Sequence, residues 1–264
     1  MIEQTDRRIF IDKAGLSIDY RTAIGIGALA GHTTFRGCGS RTALATTVGG
    51  DDIWEVAAAA MVFPDQTSGE RLSIVSTSAN DAAAGSGART LMMSYLDSGG
   101  NPAAEVITLN GTTPVHTVAT NIRFVQFLSV ASVSALGVNT AGDISVYRFG
   151  DAARVYNIIK AGTNSSKSSA KMVPAGVNFY LTGIKAEATD NKPISIRLRA
   201  TCDVQGILVP NVFMCIESFD LYNSSQTSAI QIVRKIPSLS IIKATALSTT
   251  AGGIASISYD GWLE

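Results

Sequence analysis

Two clusters in this 264-residue chain have residue types and spacing that could carry chemistry. Asp51, Asp52 and Glu55, in the run DDIWE, are the densest acidic group, and carboxylates so close can hold a cation or divide acid and base roles. A calcium loop spaces its ligands around a tight glycine turn, which DDIWEV lacks, so the cluster reads as surface charge beside a buried Trp54. Ser168-Ser169-Ala170-Lys171 matches the SxxK pattern of serine enzymes that also carry SDN and KTG elements, neither of which occurs here. No GxSxG is present, and two histidines, His32 and His116, leave little room for a Ser–His base. A non-enzymatic protein without a cofactor is the expectation.

Metal and nucleotide chemistry are also poorly supplied. Cys38, Cys202 and Cys215 are odd in number and widely spaced, and no CxxC, HxxxH or HExxH occurs, so no metal site is expected. Free thiols buried in strands, in a reducing compartment, fit better. GIGALAG at 25–31 looks like a glycine loop, but no amphipathic helix follows as a dinucleotide fingerprint requires. The glycines at 25, 27, 31, 37 and 39 oppose regular structure and point to an extended arm.

The elements that would position these residues are strands. RLSIVSTS at 71–78, RTLMMSYL at 89–96 and ISIRLRAT at 194–201 alternate in period two, with turn signals between them. Asn110-Gly111, between EVITL and TTPVHTV, predicts a hairpin. No amphipathic helix stands out; Ile53 to Phe63 has no polar face after Glu55 and serves as well as a buried strand. Thr140 to Ile144, TAGDI, recurs as TAGGI at 250–254, which fits either two related domains or convergent turn chemistry. The predicted fold is all-β: two tandem antiparallel, jelly-roll-like β-sandwich domains at 51–150 and 151–264, after an extended N-terminal arm at 1–50.

Basic and acidic residues number 21 each, too balanced for a dedicated nucleic-acid binder. By region the net charge is +2 for 1–50, −5 for 51–150 and +3 for 151–264, so complementary faces could help neighbouring copies associate. Lys160, Lys167, Lys171 and Lys185 suit contact with an acidic protein. The start, MIEQTDRRIF, lacks the apolar core of a secretory signal, and the longest apolar run, VAAAAMVF at 56–63, is far short of the roughly 20 residues that span a bilayer. No nucleic-acid or membrane partner is expected, and synthesis in a cytoplasm is.

DDIWE at 51–55, LSIVSTSANDAAAGSGARTLMMSYLD at 72–97, EVITLNGTTPV at 105–115, VPAG at 173–176 and DGWL at 260–263 resemble virion structural proteins of tailed bacteriophages. The resemblance covers roughly residues 50–264 and implies a place in a particle rather than a reaction. It implies a capsid decoration or cement protein, bound to the major capsid protein or other virion proteins and assembled in the host cytoplasm as a homo-oligomer, with a trimer as the guess. The arm would make the contacts, through Arg7, Arg8, Phe10, Arg21, Phe35 and Arg36. Removing residues 1–40 would then release the protein from the shell and leave both sandwiches folded. The alternatives are a tail, neck or fibre-base protein, a carbohydrate-binding host-attachment module, and a surface hydrolase, which would need clustered carboxylates in a cleft.

Overall fold

The computed structural model describes residues 10–11, 17–46, 49–203 and 205–264. Arg7 and Arg8 lie outside the described residues, and only the backbone of Phe10 is within them. In chain order the elements are β1 (Phe10–Ile11), β2 (Ser17–Ile18), α1 (Tyr20–Gly25), β3 (Thr33–Leu44), β4 (Asp51–Asp52), β5 (Leu72–Ser76), β6 (Ala88–Asp97), β7 (Pro102–Thr108) and β8 (Val115–His116). There follow β9 (Ile122–Val133), β10 (Ile144–Arg148), β11 (Asp151–Ile159), β12 (Lys171–Met172), β13 (Phe179–Ala200), β14 (Met214–Ile236), β15 (Ile241–Ser248) and β16 (Gly253–Leu263). The protein is all-β, as its alternating sequence predicts, and every strand pair is antiparallel. No helix among the described residues is long and apolar enough to cross a membrane.

Two sheets, in the orders β11-β10-β5-β8 and β7-β6-β9, form the first sandwich. Leu72 and Ile74 of β5 and Ile144 and Val146 of β10 share one core with Leu91 and Met93 of β6 and Ile122 and Leu128 of β9. Alternate residues of each strand enter this core because successive side chains point to opposite faces.

The second sandwich is one sheet folded over on itself. Its path is β12-β15-β13-β16-β3, with β14 along the other edge of β13 and β4 on β15. β13 runs for 22 residues: 179–188 pair with β16, and 194–200 pair with β15. Between them Thr189 to Lys192 face only Asn223 of β14, whose φ is +42°. Such an excess of residues on one strand bends the pair sharply, so both strands pass from one layer into the other. Ile184, Ala186 and Ala188 before the bend and Ile194, Ile196 and Leu198 after it enter the same core. Trp54, Met61, Leu96, Phe124, Met172 and Ile241 form a third cluster where the two sandwiches meet.

Four expectations are corrected by the pairing. Residues 33–44 are not an extended arm: β3 pairs with β16 from Thr33↔Leu263 to Leu44↔Gly253. Their glycines admit close neighbours, since a Cβ on Gly37 would lie 2.1 Å from the Tyr259 ring and one on Gly39 2.4 Å from the Ser169 nitrogen. The division expected at 150/151 falls on the turn of the β10–β11 hairpin, inside one sheet. Asn110-Gly111 does not close a hairpin, because β7 pairs with β6 while β8 pairs with β5 in the facing sheet. Gly111, with φ +60°, donates to the Asp81 carbonyl at 2.7 Å and accepts from Ser76 at 3.0 Å, so the turn carries the chain across the sandwich. Finally, residues 53–60 are neither helix nor strand, for reasons given below.

Asp81 anchors the first sandwich. It is fully buried, and its carboxylate accepts from Ser76 Oγ (2.6 Å) and from the backbone N–H groups of Ala88, Ala141 and Gly142 (each 2.9 Å). Asp81→Ala leaves three buried donors and one partly buried donor without their acceptor and is expected to destabilise the fold by about 3 kcal/mol or more, read from the urea midpoint. Deletion of residues 1–40 strips Thr33 to Ser40 from β16. In contrast to the arm expectation, it should abolish the cooperative thermal transition of the second sandwich.

Candidate functional site

Three of the six candidate contact residues converge. Asp19 caps the six-residue helix α1, accepting from the N–H groups of Arg21 (2.9 Å) and Thr22 (3.1 Å) and from the Thr22 hydroxyl (2.5 Å). The Thr22 hydrogen bonds hold the Asp19 carboxyl below its ordinary range. Ala23 and Ile24 bury the inner face of α1, which leaves Arg21 exposed. On β3 the alternation half-buries Phe35, whose ring packs 4.9 Å from Phe179, and exposes Arg36. Arg21, Phe35 and Arg36 line one depression of about 310 Å³ with Thr182, Asp260 and Trp262. Two guanidinium groups, one exposed carboxylate and an aromatic wall suit a protein contact rather than a reaction.

Three aromatics far apart in the sequence meet in the fold. Trp262 stacks on Tyr180 at 5.6 Å and meets Tyr20 edge-on at 5.3 Å, and the Tyr20 hydroxyl bonds His32 Nε2 at 2.6 Å. Trp262 is only 9% exposed, so the group packs on itself and does not present a flat sugar platform.

β3 also borders a second, larger groove of about 630 Å³ between the sandwiches, lined by Phe35, Tyr95, Leu96, Pro102 and Leu263. Lys171 is its notable polar residue. Its ammonium donates to the Gln126 carbonyl and lies 5.2 Å from the centre of the Phe127 ring. Burial pulls its pKa down to about 8, with the Cys38 thiol acting weakly the other way. The SxxK reading does not assemble: Ser168 Oγ accepts from Ala170 N at 3.3 Å, and no hydrogen bond between Ser168 and Lys171 is found among the described residues.

The acidic cluster is a correction. Asp51 and Asp52 are buried, not surface charge, although Trp54 is buried as expected. Asp51 accepts from Arg41 Nε (3.2 Å) and Ala45 N (2.8 Å). Asp52 accepts from Lys243 Nζ (2.8 Å) and Met61 N (2.6 Å). Each acid is thus committed to a partner strand or loop. Glu55 stands apart: burial raises its carboxyl, offset in part by Lys167, at the wall of a cleft of about 680 Å³ that also holds Arg41, Asp143 and Lys160. Lys160 pairs with Asp143; burial raises that acid, and the bonds from Lys160 and Ala161 outweigh it to leave the carboxyl low. No cluster of three or more His, Cys, Asp or Glu able to hold a metal occurs among the described residues. His116 does bond a serine, Ser73 Oγ at 3.0 Å, but Ser73 is 1% exposed, and a nucleophile must reach its substrate. The three cysteines are free, and only Cys202 is buried, which pushes its thiol up to about 11.

No protein-family model and no curated protein matches the chain. Among solved structures, a chain in the structure of infectious bursal disease virus Gt strain aligns with 93% of this chain and 77% of its own length. The identity is 10% and the TM-score 0.21, a likeness too low to carry an argument.

Lys171 makes stability depend on pH with a definite sign. The folded state releases the proton near pH 8 and the unfolded chain near 10.5, so between these values the unfolded chain binds more protons. The burial penalty is therefore complete below pH 8 and disappears above 10.5. Lys171→Met is expected to raise the urea midpoint at pH 7, with the gain shrinking steadily towards pH 10.5; a constant difference across that range would contradict the account.

Proposed function

We propose that this chain is a non-enzymatic structural protein of a virus particle, specifically a decoration or cement protein on a tailed-phage shell. The convergence of Arg21, Phe35 and Arg36 on one surface depression carries the reading, because these residues come from two separate elements and point to a single contact. The sequence likeness at 51–55, 72–97 and 105–115 supports it. So does an architecture of two packed sandwiches, which leaves loops and end strands free to meet neighbours. The partner presents acidic groups to the two arginines and an apolar side chain to Phe35. Copies of the chain associate with one another in a symmetric oligomer.

Incorporation into particles tests this. The double change Arg21→Glu and Arg36→Glu touches two exposed side chains and should leave the melting temperature unchanged while lowering the copies retained per particle at least tenfold. Retention at the wild-type level would remove the surface from consideration. The wild-type copy number separates the sites within a particle: hundreds fit the shell, and a dozen or fewer fit a tail or neck.

A further inference from the structure

The groove between the sandwiches has an unusual charge balance. Its wall carries two cations, Lys171 and Arg36, and no carboxylate. The Lys171 ammonium has a carbonyl and an aromatic ring as partners, neither of which cancels its charge, and burial weakens its hold on the proton accordingly. Elsewhere among the described residues each partly buried lysine amine has an acid, as in Lys243–Asp52 and Lys160–Asp143. The groove is also bounded by the end strand of each sandwich. β3 contributes Thr34 to Arg36 and β7 contributes Pro102 to Ala104. β3 pairs only with β16 and β7 only with β6, so each keeps one unpaired edge among the described residues.

We propose that this groove docks an extended, acidic segment of a partner protein, with its carboxylate on Lys171 and its backbone along an end strand. Pairing along a strand edge supplies main-chain hydrogen bonds, and apolar walls receive alternate side chains. A carboxylate at Lys171 replaces the water lost on burial and pairs an ammonium that has no acid partner among the described residues. The partner's origin rests on the assembly reading above, whereas the groove's chemistry does not.

The full chain is titrated with two fluorescein-labelled dodecapeptides, alternating valine–glutamate and valine–lysine, and binding is read by anisotropy. The acidic peptide should bind and the basic one should not. Lys171→Met and Ala103→Trp should each weaken binding at least tenfold; Ala103 is exposed, so its change fills the groove without entering a core. Equal binding of both peptides, or unchanged affinity in both variants, overturns the proposal. So does sedimentation showing a dimer that Ala103→Trp splits, which would make the occupant a second copy. A negative peptide result alongside normal Arg21-dependent incorporation removes the groove and leaves the assembly reading standing.

Discussion

The guanidinium of Arg41 fixes the segment from which Trp54 packs between the two sandwiches. From β3 it reaches Asp51 on β4 through Nε, and it donates to the carbonyls of Val56 and Ala58 (both 3.0 Å) and of Ala57 (3.3 Å). Those carbonyls belong to a run of apolar residues that forms no helix or strand and so has no ladder of its own. The planar fork of arginine suits this task, because its fixed donors can satisfy several acceptors at once. With the run held, Trp54 donates from Nε1 to the Ala58 carbonyl at 2.8 Å and fills the cluster between the sandwiches. A buried ion pair of this kind adds little net stability over an apolar pair, but losing one member costs about 3–5 kcal/mol. Its role is to specify one arrangement of the connecting segment.

Asp81 does the corresponding work inside the first sandwich, and its partners show how one motif can be used in two ways. The turn at Thr140 to Gly142 is fastened by the Asp81 carboxylate. Its echo at Thr250 to Gly252 has no acid; Gly252 donates to the Leu44 carbonyl at 2.8 Å, and Ser248 Oγ to the Thr250 carbonyl at 2.6 Å. Both turns feed a strand, yet one is clamped by a buried carboxylate and the other by a hydroxyl, an ammonium and backbone. β10 is also not the last strand of its sheet, since β11 follows it, so the two turns do not hold equivalent places.

The surfaces follow from this framework. β3 ends the second sandwich and β7 ends a sheet of the first, and the cluster around Trp54 packs the two modules together. The depression around Arg21 and the groove around Lys171 lie on either side of Thr34, Phe35 and Arg36, which line both. Arg21, Phe35 and Arg36 could be picked from sequence as basic and aromatic residues near the start of the chain. Lys171 is legible in the sequence as one of four lysines suited to an acidic protein, but what sets it apart from the other three, its isolation from any acid, is a property of its neighbours in space.

Local sequence determined what depends on neighbours along the chain. Period-two alternation names β5, β6 and the second half of β13, since a strand half-buried in a sheet must alternate. Tertiary structure decided everything that depends on distant partners. The glycines at 37 and 39 read as an unstructured arm until Tyr259 and Ser169 are seen to need the space. Asp51 and Asp52 read as surface charge because their cations, Arg41 and Lys243, stand 10 and 191 residues away. Asn110-Gly111 is a turn in either account, but whether its flanking strands pair or part is set by which sheet has an open edge to receive β8. Charge burial, close backbone approach and strand order are contacts made across the fold, and no local pattern encodes them.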